Sequence, residues 1–427
     1  MKKTIFSLVL FLISISGYTQ EKGKMQSEIL PSPHATKSVK NFSHVIGWKG
    51  ETPKAPDGFV VNKFADGFDN PRWMYITSNG DVLVAESNSN HTFIEKVVGT
   101  IIGASKSNSL RHSADRITLL RDTNKDGIPD QKETFLTGLN QPFGMLVIGK
   151  WLYVGNTNAL VRYPYTAGQT KITEKPEKIV DLPAGKQNRH WARNIITNSD
   201  SSKIYIAVGS GSNVAEKGIA NEILRANILE INPDGSDLKI YASGLRNPNG
   251  MGWAPGTKTL WTVVNERDEL GDELVPDYFT SVKQGGFYGW PYTYFGQNKD
   301  PRMKGEMTSM AKNCIVPDFN LGNHTASLGL AFYTANSFPE KYHGGVFLTQ
   351  HGSWNRSVLN GYKVIFIPFS NGKPSGKAED FLTGYIVNLK KKEVHGRPVG
   401  IIVTPDGSLL VADDVTNTIW RVSTVKK

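Results

Sequence analysis

The residues best equipped for chemistry sit where short apolar runs begin and end. Arg246, Asn247 and Asn249 open the stretch Ala242–Glu273, and Glu266, Asp268, Asp272 and Glu273 close it. Two apolar runs and a tight turn lie between them; paired as a hairpin, they bring both polar tips to one end. A cation-and-amide corner then stands beside an acidic corner. His190 to Arg193, His324 to Ser327 and Gly396-Arg397-Pro398 precede other apolar runs, while His351 and Asp413-Asp414 follow them. Each position alone has a plain reading: a histidine at a strand start is commonly a structural hydrogen-bond partner, and a Pro-Asn corner is a turn. Converging on one concave surface, the same residues build a site for a polar ligand. The sequence contains no Gly-x-Ser-x-Gly elbow, Walker loop, HExxH or CxxC. Nothing singles out a nucleophile, so the chemistry is expected from a metal, a cofactor or both.

Whether these residues meet depends on the elements that carry them. An apolar, β-rich run recurs at Asp81–Glu86, Trp151–Gly155, Lys203–Gly209, Thr259–Asn265, Gly345–Gln350 and Ser408–Asp413. A second short run precedes each one: WMYIT, GMLVI, NIITN, GMGWA, LGLAFY and GIIVT. Turns such as Asn79-Gly80 and Asp406-Gly407 link them. Spacings of roughly 50 to 90 residues suit four-stranded units with insertions. The expected fold is all-β, a six-bladed β-propeller with four-stranded antiparallel blades over 57–427. Val60–Phe64 and Thr418–Val422 would complete one blade between the chain ends, removing two sheet edges. In such a ring the polar clusters surround one channel mouth. Thr92–Ala104 reads as a short amphipathic helix inserted in the first blade, covering part of the domain or meeting a partner, with packing as the default.

Composition is compatible with this. The 427 residues include 42 Gly and 22 Pro, with 10% aromatic and 21% charged residues, which suits a turn-rich β domain and not a disordered chain. Lys2 and Lys3 before the apolar run Ile5–Ile15 predict a secretory signal peptide over 1–20, and hence an exported, periplasmic or secreted protein without stable membrane insertion. Residues 21–56 read as a polar linker or poorly ordered arm. The single cysteine, Cys314, rules out an internal disulfide and reads as a small buried hydrophobe. A formal charge of +10 without a basic block gives no case for nucleic-acid binding. Scattered surface lysines are one account of it, and arginines clustered around an anionic ligand are another.

Three phrases follow one another in the order found in soluble quinoprotein sugar dehydrogenases: GLRNPNGM (Gly244–Met251), NERDELGDE (Asn265–Glu273) and QGGFYGWP (Gln284–Pro291). HTASLGLAFY (His324–Tyr333) and QHGSWNRS (Gln350–Ser357) resemble the sorbosone and pyranose dehydrogenase-like branch. The resemblance spans roughly 57 to 423 and implies six blades with Ca2+ and pyrroloquinoline quinone at the channel mouth, oxidising C1 of a sugar or related aldehyde. It implies an external electron acceptor and a monomer or homodimer. By resemblance His190 is the base, while Arg246 with Asn247 contacts the reducible quinone oxygens. Arg193 and Arg397, with His324 and His351 nearby, would hold the cofactor, and the loop of Glu266, Asp268, Asp272 and Glu273 would surround Ca2+. A quinone with three carboxylates needs such cations, and oxidation of an alcohol or hemiacetal needs a base for the hydroxyl proton. The spacing from His190 to Arg193 and the pair Arg267-Asp268 depart from the glucose-oxidising members.

DTNKDGIPD (Asp122–Asp130) carries oxygens at Asp122, Asn124, Asp126 and Asp130 around Gly127, with Glu133 where a calcium loop places its last ligand. It reads as a hairpin tip in the second blade, either a polar turn or a structural calcium site. Two other functions share the fold: a lactonase-type hydrolase using metal-bound water, and a non-catalytic propeller binding a glycan or protein partner.

Overall fold

The computed structural model describes residues 30–304 and 308–425. The signal-peptide stretch lies outside the described residues. All six repeated runs are strands: Val82–Glu86, Trp151–Asn156, Ile204–Val208, Leu260–Val264, Val346–Gln350 and Leu409–Asp413. Each pairs antiparallel with the run before it, namely Pro71–Ile76, Met145–Ile148, Ile195–Thr197, Pro248–Trp253, Ser327–Phe332 and Pro398–Val403. Gly80 and Gly407 turn two of these hairpins at φ of 91° and 81°, where a Cβ is strained. Two further strands complete each unit, giving six four-stranded antiparallel sheets among the described residues. The last sheet closes between the chain ends, Phe59–Asp66 pairing with Thr418–Thr424.

The second strands are apolar on both faces because each is covered on both sides. Sequences such as VLVAE, IYIAV and LWTVV are buried at every position, and core clusters straddle consecutive sheets. Leu146 and Tyr153 of the second sheet pack with Ile204, Ile206 and Leu229 of the third. Met74, Val84 and Leu120 of the first pack with Val399, Leu410 and Ile419 of the sixth. First strands touch in succession, from Pro71–Ile76 to Met145–Ile148 and onward, until Pro398–Val403 meets Pro71–Ile76 again. The arrangement is propeller-like, with hairpin ends gathered around its first strands.

Three expectations need correction. The N-terminal arm is not loose: its exposed stretch 31–40 is tied to the 270–273 loop through the His34 N–H and Ser38 Oγ, and from Asn41 it is packed. His44–Val45 pairs with Glu393–Val394, and Trp48 is buried against Tyr385, His395 and Trp420 while donating to Asp413 Oδ2 at 2.8 Å. The inserted helix spans Phe93–Ile101 with a Thr92–Glu95 capping box, yet Gly99 is its one buried residue. The Asp122–Asp130 loop is a hairpin tip, but of the first sheet, between Arg116–Arg121 and Gln131–Leu136. Cys314 is buried, as expected, and its thiol donates to the Gly296 carbonyl at 2.9 Å.

Candidate functional site

A chain of contacts links the polar clusters at the hairpin ends. Arg72 pairs with Asp414 at 2.6 Å and lies over the Trp191 ring. His190 follows in the chain and bonds Ser210, whose backbone N–H donates to the Arg246 carbonyl. Arg246 pairs with Asp268 at 3.2 Å, and Asp268 accepts from Asn355 at 2.5 Å. Asn355 belongs to the loop after His351, and His351 returns to Asp414 at 2.9 Å. The circuit draws on five of the six sheets' hairpin ends, with Arg72 belonging to the first.

His190 is held for one task. Its Nδ1 lies 2.8 Å from the Ser210 carbonyl and 3.0 Å from Ser210 Oγ. A carbonyl only accepts, so Nδ1 carries the proton and the neutral ring keeps its lone pair on Nε2. Among the described residues nothing bonds Nε2. Burial, then the neighbouring Arg246, Arg189 and Arg193 charges, push the imidazole well below its usual range, with only the Ser210 bond opposing.

Arg193 belongs to the scaffold and not to the cofactor surface. It is 0% exposed and donates to the carbonyls of His190, Ala192 and Pro183 and to Asn188 Oδ1, so it folds the His190 loop around itself. Arg246 is also committed to protein. Its guanidinium donates to the Asn213 and Glu266 carbonyls at 3.1 and 2.5 Å and to Asn213 Oδ1 at 2.9 Å, besides Asp268. It acts on the site as a fixed positive charge. Asn247 is held loosely, reaching Asn265 Oδ1 at 3.4 Å.

The acidic return loop does not bring its four carboxylates together around one point. Glu266 accepts from buried Arg267 at 2.9 Å, Asp268 serves Arg246 and Asn355, Asp272 accepts from Ser357, and Glu273 pairs with Arg356 at 2.5 Å. Each carboxylate has at least one donor, from Arg267 beside it in the chain or from distant loops, while Glu266 Oε1 and Asp272 Oδ1 are buried without a partner. Among the described residues no three His, Cys, Asp or Glu side chains converge as a metal site. In the Asp122–Asp130 tip, Asp122, Asn124 and Asp126 accept from backbone N–H groups within the turn, and Asp130 accepts from Thr123. These bonds hold the turn by themselves.

His324 and His351 serve the rim. His324 Nε2 donates to the Gly271 carbonyl at 2.9 Å, clamping the acidic loop. Burial and the Arg397 charge push His351 down to about 4, although Asp414 beside it pulls the other way. The two adjacent carboxylates are driven apart. Burial lifts Asp413 to about 6, whereas Asp414, despite its burial, is held well below the usual range by Arg72 and His351. Arg397 donates through Nε and Nη2 to the carbonyls of His351 and Gly352 at 2.9 and 2.8 Å, and nothing described takes its Nη1. Arg189, exposed and beside His190, also has no described acceptor. These two cations and the Asn247 amide fit a multiply carboxylated quinone, which asks for unspent donors.

Sequence reasoning missed Asn213, which holds Arg246 through both its carbonyl and its side chain, and Asn355, which anchors Asp268. Neither lies at a strand end, so the repeat carried no signal for them. Gly209 is a further omission. A Cβ there would lie 2.4 Å from Asn247 Oδ1 and 2.5 Å from His190 Cβ. Gly209→Ala is therefore expected to displace His190 or Asn247 and to cut kcat by about tenfold or more. Steady-state kinetics beside a thermal melt check this, and an unchanged kcat contradicts it.

The solved structure of a Trichoderma reesei carbohydrate-active enzyme of family AA12 covers 90% of this chain and all of its own, with a TM-score of 0.70 at 18% identity. The holo pyranose dehydrogenase PQQ domain from Coprinopsis cinerea covers 87% of this chain and 97% of its own, with a TM-score of 0.67, also at 18% identity. At that identity the likeness is one of fold. In sequence, an uncharacterized protein of Borreliella burgdorferi is 34% identical over 245 residues, 56% of this chain and 62% of that one. The aldose sugar dehydrogenase YliI of Escherichia coli is 32% identical over 114 residues, 26% of this chain and 28% of its own. The chain thus spans less than two thirds of the length of these relatives. The resemblance to PQQ-dependent sugar dehydrogenases holds in both fold and sequence. Over residues 54–424 the chain matches the family described as a domain of unknown function, DUF7133, and belongs to it.

Proposed function

We propose that the protein is an exported quinoprotein dehydrogenase built on a six-bladed β-propeller, oxidising a sugar or related aldehyde at C1. The observation that carries this is His190: a neutral imidazole with Nδ1 pinned to the Ser210 carbonyl and Nε2 unbonded, next to the fixed cation of Arg246. Pyrroloquinoline quinone, when bound, supplies the hydride acceptor. Arg397 Nη1, Arg189 and Asn247 would hold it. His190 Nε2 takes the proton of the substrate hydroxyl, and the Ser210 carbonyl steadies the imidazolium that results. The Arg246 charge stabilises negative charge that develops nearby, at no cost in reorganisation, because Asn213, Glu266 and Asp268 already fix it. The carboxylates of 266–273 serve these cations and amides, and Glu266 Oε1 and Asp272 Oδ1, buried without a partner, are the oxygens left to offer Ca2+.

The test is reconstitution. Purified protein is titrated with the quinone, then assayed with a panel of aldoses and a dye acceptor. Quinone binding with sugar-dependent dye reduction is expected, and absence of both sinks the proposal. The pH profile adds a signed check. The base works in its neutral form and its pKa is lowered, so kcat/KM stays high below pH 6.5 and falls only at more acidic pH. An acidic limb centred above 6.5 contradicts the assignment of His190.

A further inference from the structure

The helix Phe93–Ile101 turns its apolar face away from the protein. Phe93, Ile94, Val97, Val98, Ile101 and Ile102 recur at i, i+1, i+4, i+5, i+8 and i+9, which is one side of a helix. In a helix packed on its own domain this stripe is buried. Here Phe93 is 81% exposed, Ile94 73% and Ile101 79%, and the other three are exposed as well. The face toward the protein is that of Gly99, where a Cβ would meet the Leu110 side chain at 3.0 Å. Scattered exposed apolar residues need no explanation, but six on one stripe do. The inserted segment is tied to the domain at both ends. Asn88 holds the start of its segment through Arg72 and Ser113, and Asn108 donates to the Val415 carbonyl at 3.1 Å. Arg72 and Asp414 belong to the mouth, so the segment is rooted beside it.

We propose that this face is a peripheral anchor for an anionic lipid surface. Three exposed cations, Lys96, Lys106 and Arg111, belong to the same inserted segment, and none has a described partner. The one carboxylate on the helix, Glu95, is spent on the Thr92 cap. An interfacial helix of this kind buries its apolar side among acyl chains while its cations meet headgroup phosphates. The net charge, +10 over the full sequence and +8 without Lys2 and Lys3, favours the same surface. A second copy of the chain is a poorer match. One stripe of a nine-residue helix falls short of the roughly 800 Å² per partner that a stable interface buries, and two-fold pairing would oppose the same three cations.

The experiment is flotation of the purified protein with vesicles of phosphatidylcholine and phosphatidylglycerol, against phosphatidylcholine alone. Binding to the anionic vesicles that weakens with salt is expected. The double substitution Phe93→Asp with Ile101→Asp, at positions 81% and 79% exposed, is expected to reduce the bound fraction about tenfold or more. Lys106→Glu with Arg111→Glu is expected to erase the preference for phosphatidylglycerol. Absence of binding overturns the proposal, as does binding that survives the double substitution, which would place it elsewhere in the chain. A wild-type dimer that the double substitution turns into a monomer assigns the face to a second copy and overturns it as well.

Discussion

Replacing His190 with alanine is expected to lower kcat about 100- to 10,000-fold, the range that a positioned general base supplies. Quinone affinity should stay within about threefold, because the cations that suit the cofactor, Arg397 and Arg189, do not depend on the imidazole. The change costs one hydrogen bond to Ser210, about 1 kcal/mol, and Arg193 continues to hold the loop through the residue-190 carbonyl. Lost turnover thus separates from lost structure. The acidic limb of the pH profile should vanish along with the rate. Stopped-flow reduction of the bound quinone, with an equilibrium titration alongside, checks both halves. A variant that reduces quinone at the wild-type rate removes His190 from the chemistry.

The fold was legible because its signal is repeated. All six hairpins stand where β-branched and aromatic runs flank polar turns, five of them bearing Gly, and second strands such as IYIAV declare their two-sided burial by having no polar face. The mouth was legible only through that repetition, since His190 and Arg246 are far apart in sequence. Partner choice within the mouth was not legible. Arg193, Arg246 and Arg397 looked like equivalent cations, yet Arg193 is closed off by carbonyls of its own loop, a matter of backbone path that residue type does not encode. The acidic run 266–273 suggested a calcium cage because its partners Asn213, Asn355 and Arg356 come from distant loops. The helix misled in another way. Its period was read correctly, but amphipathic spacing does not say which way the apolar side faces.

The largest stability effect is expected at Arg267. This side chain is 0% exposed and donates to Glu266 at 2.9 Å, to Asp300 at 3.2 Å and to the carbonyls of Pro291 and Thr293 at 2.9 and 2.6 Å. Glu266 and Asp300 are buried as well. Arg267→Ala therefore leaves Glu266 in the interior without its cation and Asp300 with Arg302 alone, a loss of about 3–5 kcal/mol, measurable by urea unfolding at pH 7. Acid should narrow the gap. Burial alone would raise Asp300, but Arg302 and Arg267 hold it below the usual carboxylate range. In the wild type that stabilisation is present at neutral pH and lost as pH falls through the lowered pKa. In the variant Asp300 has less to lose, so the difference shrinks as pH falls. Adding Glu266→Gln to Arg267→Ala should recover part of the loss at pH 7, since the orphaned charge goes with it. The consequence reaches the mouth, because the Glu266 carbonyl is the 2.5 Å acceptor that fixes Arg246. Loss of Arg267 should thus lower kcat even where the protein stays folded. A single variant within about 1 kcal/mol of wild type would show that water or relaxation satisfies the buried carboxylates, and would detach Arg267 from the support of Arg246.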